Sequence, residues 1–441
     1  MADPADDIVA AEMKKSNTPG VSVAVVRDGK VVKLKGYGFA NLEHKVRVTP
    51  DTIFQSGSVG KQFTSALVMK LVEDGKLSLN DSLRKHFPDA PEAWSAITVR
   101  HLLTHTSGLG NSYSKIDMRK DYTEAELVKF AAEVPPEFKP GEKFSYSNTG
   151  YHVLGVLCSK VGGKFYGDQL IERIFRPAGM RTARVITEAD LVMNRAAGYE
   201  VRKGKIYNQE WVAPALNTTG DGSLYLSVRD MTNWNASLDS DKVLSSDIKR
   251  QMWTPARLND GSKVDYGFGW SLDSYNGYKQ IGHGGAWQGF RTAILRFPDH
   301  KLAVIVLANS DSCNAEAVAR KVAGSYVPAL APKPVVPIKD TVPELTTIIT
   351  SFFSGDLDKA YAMLGSDLQG KLGKPALKGL FDDVGKRGKV SLLALKETPD
   401  GRETTYRIEF ANDTAIIVAT FDAKNVIVKL SVRPAEETEP G

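Results

Sequence analysis

Ser58 and Lys61 lie three residues apart at the start of an apolar stretch, a spacing that brings a hydroxyl and an amine together on one helix face. Ser82, Ser112 and Ser246 also precede a lysine by three residues, but in loop-like or charged surroundings. Ser58 instead follows a strand-like segment and opens a helical pattern, whose free N–H groups favour a developing anion. Burial of the Lys61 stem favours the neutral amine, so the pair indicates a serine nucleophile beside a base. The structural alternative is an exposed serine near an exposed lysine.

Two further motifs, each present once, bring a phenol and an imidazole to the candidate site. Tyr146 and Asn148 form the one Tyr-x-Asn among 15 tyrosines, and His283 opens the one His-x-Gly among seven histidines, with Gly284 and Gly285. A phenol transfers protons, and glycines let a substrate approach a strand closely. A turn tyrosine and a glycine-rich hairpin would explain each motif alone. Together with the serine–lysine pair, they predict an acyl-transfer site.

The three motifs, in this order, resemble the serine β-lactamase and penicillin-binding-protein superfamily. The most similar branch is that of the class C β-lactamases, with their family VIII carboxylesterases and D-aminopeptidases. The likeness covers about residues 5–327, and residues 344–433 resemble the cystatin-like domains often appended to such hydrolases. Further stretches that carry the resemblance are Gly36–Asn41, His101–Leu109 and Gly222–Asp230.

The resemblance implies a role for each motif residue. Ser58 attacks a carbonyl, and either Lys61 or Tyr146 takes its proton, a choice that the sequence leaves open because the two titrations are coupled. The backbone N–H groups of Ser58 and Ala286 form an oxyanion hole. Asn148 donates its side-chain amide to the acyl side of the substrate. No cofactor and no metal are implied.

One motif departs from the penicillin-interactive pattern, which has Lys-Thr-Gly where this chain has His283, Gly284 and Gly285. A histidine with an ordinary pKa of about 6.5 is mostly neutral at pH 7, so it binds a substrate carboxylate less well than lysine. Esters, or amides recognised from their amino side, are therefore favoured. Arg291, on the neighbouring strand, is a candidate for a replacement charge.

The order of predicted elements indicates how these groups are positioned. Both ends of the first 327 residues contain strands, including hairpins at Asp28-Gly29 and at Pro298–His300, while residues 60 to about 250 are mostly helix and loop. This order predicts an antiparallel sheet flanked by helices, with an inserted helical subdomain. A strand is also predicted at Tyr266–Leu272.

The chain is predicted to contain two domains. Residues 1–327 form the β-lactamase-like hydrolase domain, and five prolines mark a linker at 328–343. Residues 344–441 then form a small C-terminal α+β domain, with helices to about 386 and four alternating strands after them.

Composition excludes several classes of protein. The 441 residues are 42% hydrophobic and 25% charged with a net charge of +5, values typical of soluble globular proteins rather than disordered ones. No basic run suggests nucleic acid, and no apolar stretch is long enough for a membrane span. His101 and His105 lack the glutamate and third ligand of a zinc site, so a structural role is favoured. Two cysteines leave the compartment open: a periplasmic or secreted protein without its signal peptide, or a cytoplasmic one.

Three functions are consistent with these residues. The leading hypothesis is a serine hydrolase that cleaves small esters or short D-amino-acid amides and peptides. A D-Ala-D-Ala carboxypeptidase or class C-like β-lactamase is the second. The third is an acylatable sensor or interaction protein that does not turn over. The sequence leaves the oligomeric state undetermined.

Overall fold

The computed structural model describes residues 3–187, 189–209, 219–222, 224–334, 336–398, 400–411, 414–435 and 438–439. The chain divides into two compact units, which consist of residues 1–331 and residues 332–441. The strands of the first unit are β1 (Gly20–Arg27), β2 (Lys30–Asn41), β3 (Val46–Arg47), β4 (Ile53–Gln55), β5 (Arg184–Val185), β6 (Tyr199–Arg202), β7 (Lys205–Asn208), β8 (Leu224–Ser227), β9 (Ala256–Arg257), β10 (Lys263–Val264), β11 (Ser271–Tyr275), β12 (Tyr278–Trp287), β13 (Phe290–Phe297) and β14 (Leu302–Ala308).

The main sheet of the first unit joins the two ends of that unit. Seven antiparallel strands of the described residues follow the order β11-β12-β13-β14-β1-β2-β3. At the junction, Val23 of β1 lies opposite Val306 of β14. The prediction of one sheet built from both ends is therefore confirmed. Asp28 and Gly29 both have positive φ values, 50° and 72°, as the tight Asp-Gly hairpin between β1 and β2 requires.

Helices pack on both faces of this sheet and fill the long segment between its halves. They are α1 (Pro4–Ser16), α2 (Lys61–Glu73), α3 (Leu83–His86), α4 (Val99–Leu103), α5 (Glu124–Glu133), α6 (Asn148–Gly162), α7 (Tyr166–Leu170), α8 (Arg176–Ala178), α9 (Val228–Leu238), α10 (Ser246–Met252) and α11 (Ala315–Tyr326). One core lies between the sheet and the inserted helices, around Phe63 of α2 and Trp234 of α9. A second lies between the sheet and α1 and α11, around Val304. Burial of α2 on nearly all sides makes it a rigid base for the residues before it.

The predicted strand at Tyr266–Leu272 is wrong, because extended structure begins only at Ser271. Gly269 has a φ of +74°, and a Cβ there would lie 2.8 Å from the carbonyl oxygen of Lys61. The chain therefore bends closely against α2 instead of running straight. This bend leaves Tyr266 buried, with its hydroxyl directed at His283.

The second unit combines helices and a sheet around its own core, which includes Phe352, Tyr406 and Ile417. In its described part, four antiparallel strands are ordered β16-β17-β18-β19. Its elements are β15 (Lys333–Pro334), α12 (Pro343–Phe352), α13 (Leu357–Ala362), α14 (Ser366–Lys371), α15 (Lys374–Val384), β16 (Arg387–Thr398), β17 (Gly401–Phe410), β18 (Thr414–Phe421), β19 (Ile427–Pro434) and β20 (Thr438–Glu439). Across the described residues of both units, none of the helices has the length and apolar character needed to span a bilayer.

Candidate active site

Ser58 lies in a 3-10 turn, Gly57–Gly60, between the end of β4 and the start of α2. The α-helix begins three residues later than predicted, at Lys61, so Ser58 precedes the helix proper. Gly57 has a φ of +51°, and a Cβ on it would lie 2.6 Å from the backbone nitrogen of Ala286. The turn is therefore pressed against β12, which brings the Ser58 and Ala286 segments together across 228 residues of sequence.

Lys61 is fully buried, and its amine contacts three oxygens. Nζ donates to Ser58 Oγ at 3.0 Å, to Asn148 Oδ1 at 2.7 Å and to the backbone carbonyl of Asp221 at 2.7 Å. The two carbonyl-type oxygens fix two directions of the tetrahedral nitrogen. The third direction faces the hydroxyl of Ser58, as the predicted serine–amine pair requires.

Tyr146 lies at the mouth of the site, immediately before helix α6, and is 43% exposed. The centroid of its ring is 4.9 Å from Lys61 Nζ. On its other side the ring packs on His105, with centroids 4.2 Å apart. The structure thus brings the sequence-predicted serine, lysine and tyrosine to one place.

His105 packs its ring against the ring of Tyr146. It is 1% exposed, and its Nδ1 accepts a hydrogen bond from the backbone N–H of Ser147 at 3.0 Å. Burial and the charge of Lys61 hold the pKa of His105 well below its ordinary value, so the ring is neutral at pH 7. The sequence around His105 predicted only a structural role for this residue. In the structure, this role includes packing against Tyr146, a residue of the candidate site.

Of the two glycines after His283, Gly285 is required by the packing of this chain's backbone, whereas Gly284 contacts the movable end of a side chain. A Cβ on Gly284 would lie 2.6 Å from Glu316 Oε1, and a Cβ on Gly285 would lie 2.2 Å from the carbonyl oxygen of Ser56. From the sequence, both glycines were expected to let a substrate approach the strand closely. In the structure, atoms of this chain already occupy the space that either side chain would need.

His283 is buried at the inner end of the site and is neutral. Its Nδ1 lies 2.6 Å from the carbonyl oxygen of Gly284, and the hydroxyl of Tyr266 lies 2.9 Å from Nε2. Because a carbonyl only accepts, Nδ1 donates, and Nε2 accepts from the tyrosine. Burial, together with the charge of Lys61, lowers the pKa of His283 to about 4. It therefore supplies no positive charge at neutral pH.

A buried carboxylate behind Lys61 was not predicted from the sequence. Asp221 Oδ2 accepts from the hydroxyl of Tyr113 at 2.9 Å, and Oδ1 lies 3.2 Å from His152 Nε2. Burial alone would raise the pKa of Asp221, but the electrostatic attraction and hydrogen bond of His152, with help from Lys61 and Thr219, hold it well below its ordinary value. Asp221 belongs to the Gly220-Asp221-Gly222 loop. The stretch from Gly222, which carried part of the resemblance, includes Ser223, outside the described residues.

Replacing Asp221 by asparagine is expected to lower the free energy of unfolding at pH 7 by about 3 kcal/mol, because an amide in that place faces donors that need an acceptor. Because the pKa of Asp221 is lower in the folded protein than its ordinary value of about 3.9, the ionised carboxylate stabilises the fold at pH values above about 3.9. This contribution is lost as the pH falls further. The difference between wild type and D221N should therefore narrow below about pH 4. Denaturant titrations at several pH values measure it, and a difference that is the same at pH 3 and 7 would contradict this account.

Two cavities open on Ser58 and share Ala286. The smaller, about 230 Å³, lies on the side of Asn148, Tyr113 and Trp287. The larger, about 710 Å³, lies on the side of Tyr146 and includes His283, Arg291 and Glu316 in its lining. We call them the Asn148 cavity and the Tyr146 cavity. No group of three or more metal-ligating side chains is found among the described residues.

Comparison with known proteins identifies the family of the segment that contains these side chains. A family model described as Beta-lactamase matches residues 5–325. The chain belongs to the Beta-lactamase family. With its D-aminopeptidase and amidase relatives, this membership makes the protein a serine hydrolase.

Two relatives in sequence and one solved structure are similar to this chain. It is 30% identical over 311 residues to a penicillin-binding protein of Bacillus subtilis, an alignment that covers 66% of this chain and 68% of the relative. It is 30% identical over 326 residues to the D-aminopeptidase of Brucella canis, covering 72% of this chain and 61% of the relative's length. The structure of the D-amino acid amidase of Ochrobactrum anthropi matches with a TM-score of 0.64 and 26% identity, covering 74% of this chain and 97% of that one.

Proposed function

We propose that this protein hydrolyses small esters and short amides or peptides, D-amino-acid amides among them, through an acyl-enzyme on Ser58. The observation that carries the proposal is the 3.0 Å contact between Ser58 Oγ and Lys61 Nζ. That contact lies where two cavities meet, so a substrate carbonyl placed there can direct its acyl and leaving groups to different sides. The names of the D-aminopeptidase and amidase relatives support the choice of substrates.

In the first half of the reaction, Ser58 Oγ bonds to the carbonyl carbon and its proton passes to Lys61. For this step Lys61 must start as the neutral amine. Asn148 Oδ1 and the carbonyl of Asp221 then accept its two hydrogens, and its lone pair accepts from the Ser58 hydroxyl along the 3.0 Å contact in which the charged amine is instead the donor. The N–H groups of Ser58 and Ala286 stabilise the oxyanion. A donor of this kind typically contributes about a hundredfold or more to the rate.

Collapse of the tetrahedral intermediate breaks the bond to the leaving group, which takes the phenolic proton of Tyr146. The resulting phenolate then removes a proton from water, and the hydroxide attacks the acyl carbon. Ser58 leaves and recovers its proton from the Lys61 ammonium. Both groups return to their starting forms, so one turnover consumes one water and needs no cofactor.

The neutral state of His283 favours substrates that lack a free carboxylate beside the scissile bond. A histidine with a pKa of about 4 carries no charge at pH 7, whereas a carboxypeptidase or β-lactamase substrate brings a carboxylate to this region. Arg291 does not replace the charge freely, because its Nη1 donates to the carbonyl oxygens of Trp287 and Phe290. Esters and amides whose leaving group carries no carboxylate are therefore the expected substrates.

A panel of four substrates tests the proposal: a short-chain p-nitrophenyl ester, D-alanine amide, D-alanyl-D-alanine and a fluorescent penicillin. We expect steady turnover of the ester and the amide, with the dipeptide and penicillin turned over less efficiently. Best activity on the dipeptide or penicillin would instead favour a carboxypeptidase or β-lactamase. Acylation of Ser58 without steady hydrolysis, measured by mass spectrometry of the intact protein, would favour a sensor, and inertness towards all four would contradict the proposal.

A further inference from the structure

We propose that Glu316 makes the enzyme select leaving groups by charge, favouring cationic and neutral ones over those with a free carboxylate. The inference rests on the proposed acyl-enzyme reaction and adds a specificity-determining residue to it. Glu316 lies in the first turn of α11 and lines the Tyr146 cavity together with Ser58.

The Tyr146 cavity is the side that receives the leaving group. The group that protonates a leaving group must lie within hydrogen-bonding reach of it. Tyr146 lines this cavity, whereas Asn148 lines the other one. A carbonyl held between Ser58 and Ala286 thus directs its acyl part to the Asn148 cavity and its leaving group towards Tyr146.

The carboxylate of Glu316 lies beside Gly284 of β12, in the wall of the Tyr146 cavity. Its Oε1 occupies the space that a side chain at residue 284 would fill, in contact with Gly284. The residue is half-buried, so the charge is only partly screened by water. Within the described part of the chain, no hydrogen bond or ion pair is made by this carboxylate, which leaves it available to a ligand.

Neighbouring charges reinforce the negative character of this wall. Asp265 also lines the cavity. Burial raises the pKa of the nearby Asp273; the charge of Arg320 opposes this, and the charges of Glu316 and Asp265 add to it. Arg320, one turn further along α11, directs its Nε to Gln280 at 3.4 Å. Arg291, the cation that lines the cavity, is bound to backbone carbonyls of its own hairpin.

A leaving group with a carboxylate therefore meets a like charge, while an ammonium meets an opposite one. At separations of about 4–6 Å in a half-buried site, such a difference amounts to about tenfold or more in kcat/KM. The same acyl group should thus be removed faster from a cationic alcohol than from an anionic one.

Three butyrate esters with leaving groups of different charge test this inference: butyrylcholine, the glycolamide ester and the glycolic acid ester. For the wild type we expect kcat/KM to fall in that order. The span, which is the ratio of kcat/KM for the first ester to that for the last, should be at least about tenfold and should shrink as salt is added. E316Q should reduce the span to about two- to threefold, and E316K should reverse the order. E133Q, at an exposed glutamate at the end of α5, is the matched control and should retain the wild-type order.

The outcomes separate this inference from the proposed function. If p-nitrophenyl butyrate is hydrolysed but the three esters react at equal rates, or if E316Q lowers all three rates equally, selection by Glu316 is excluded. If neither p-nitrophenyl butyrate nor the three esters are hydrolysed, the proposed function itself fails.

Discussion

S58A should lose at least about 10⁴-fold in kcat on a p-nitrophenyl ester and form no acyl-enzyme. Alanine removes the oxygen that bonds to the substrate, whereas the amides of residues 58 and 286 and both cavities remain. Steady-state kinetics measure the loss of turnover, and mass spectrometry of the intact protein detects the acyl adduct.

The matched control is S246A, because Ser246 and Lys249 repeat the same three-residue spacing on α10. The Ser246 hydroxyl donates to Asp241 at the surface, far from the site in the fold, so S246A should keep wild-type activity. Thermal unfolding of both variants checks that each is folded. Wild-type turnover in folded S58A would refute an acyl-enzyme on Ser58.

Y146F should acylate but turn over about 10²- to 10⁴-fold more slowly than the wild type. The p-nitrophenolate leaving group needs no proton, so Lys61 alone suffices for acylation of Ser58. In the wild type the Tyr146 phenol then releases its proton to solvent and serves as the base that activates water. In Y146F, water activation lacks its base, and the acyl-enzyme accumulates. Stopped-flow absorbance should record a burst of about one equivalent of p-nitrophenolate followed by a slow steady state.

This experiment also decides which group takes the proton of Ser58. If Tyr146 were the acylation base, Y146F would lose the burst together with the steady state. Y207F, at an exposed tyrosine of β7, controls for loss of a phenol elsewhere and should behave as wild type. Retention of wild-type turnover by Y146F would exclude Tyr146 from both proton transfers.

Much of the fold follows from local patterns in the sequence. Asp28-Gly29 specifies a turn with two positive φ values, and the apolar runs on both sides of it pair as the antiparallel strands β1 and β2. The order of strands and helices indicated one sheet built from both ends of the first unit. The error at Tyr266–Leu272 arose because Gly269 bends the chain against Lys61, a packing contact with no local signature.

The motif residues were found because each carries its chemistry in its own type and short spacing: Ser58 with Lys61, Tyr146 with Asn148, and His283 with its glycines. Tertiary structure alone determined their environment. The Lys61 amine contacts the carbonyl of a residue 160 positions away, and Glu316 of helix α11 reaches Gly284 of strand β12. Asp221, His105 and Glu316 belong to no spacing rule, since they act through contacts made only when distant segments pack together. Sequence therefore indicated which groups are proposed to react, and packing determined which groups surround each of them and which cavity each one faces.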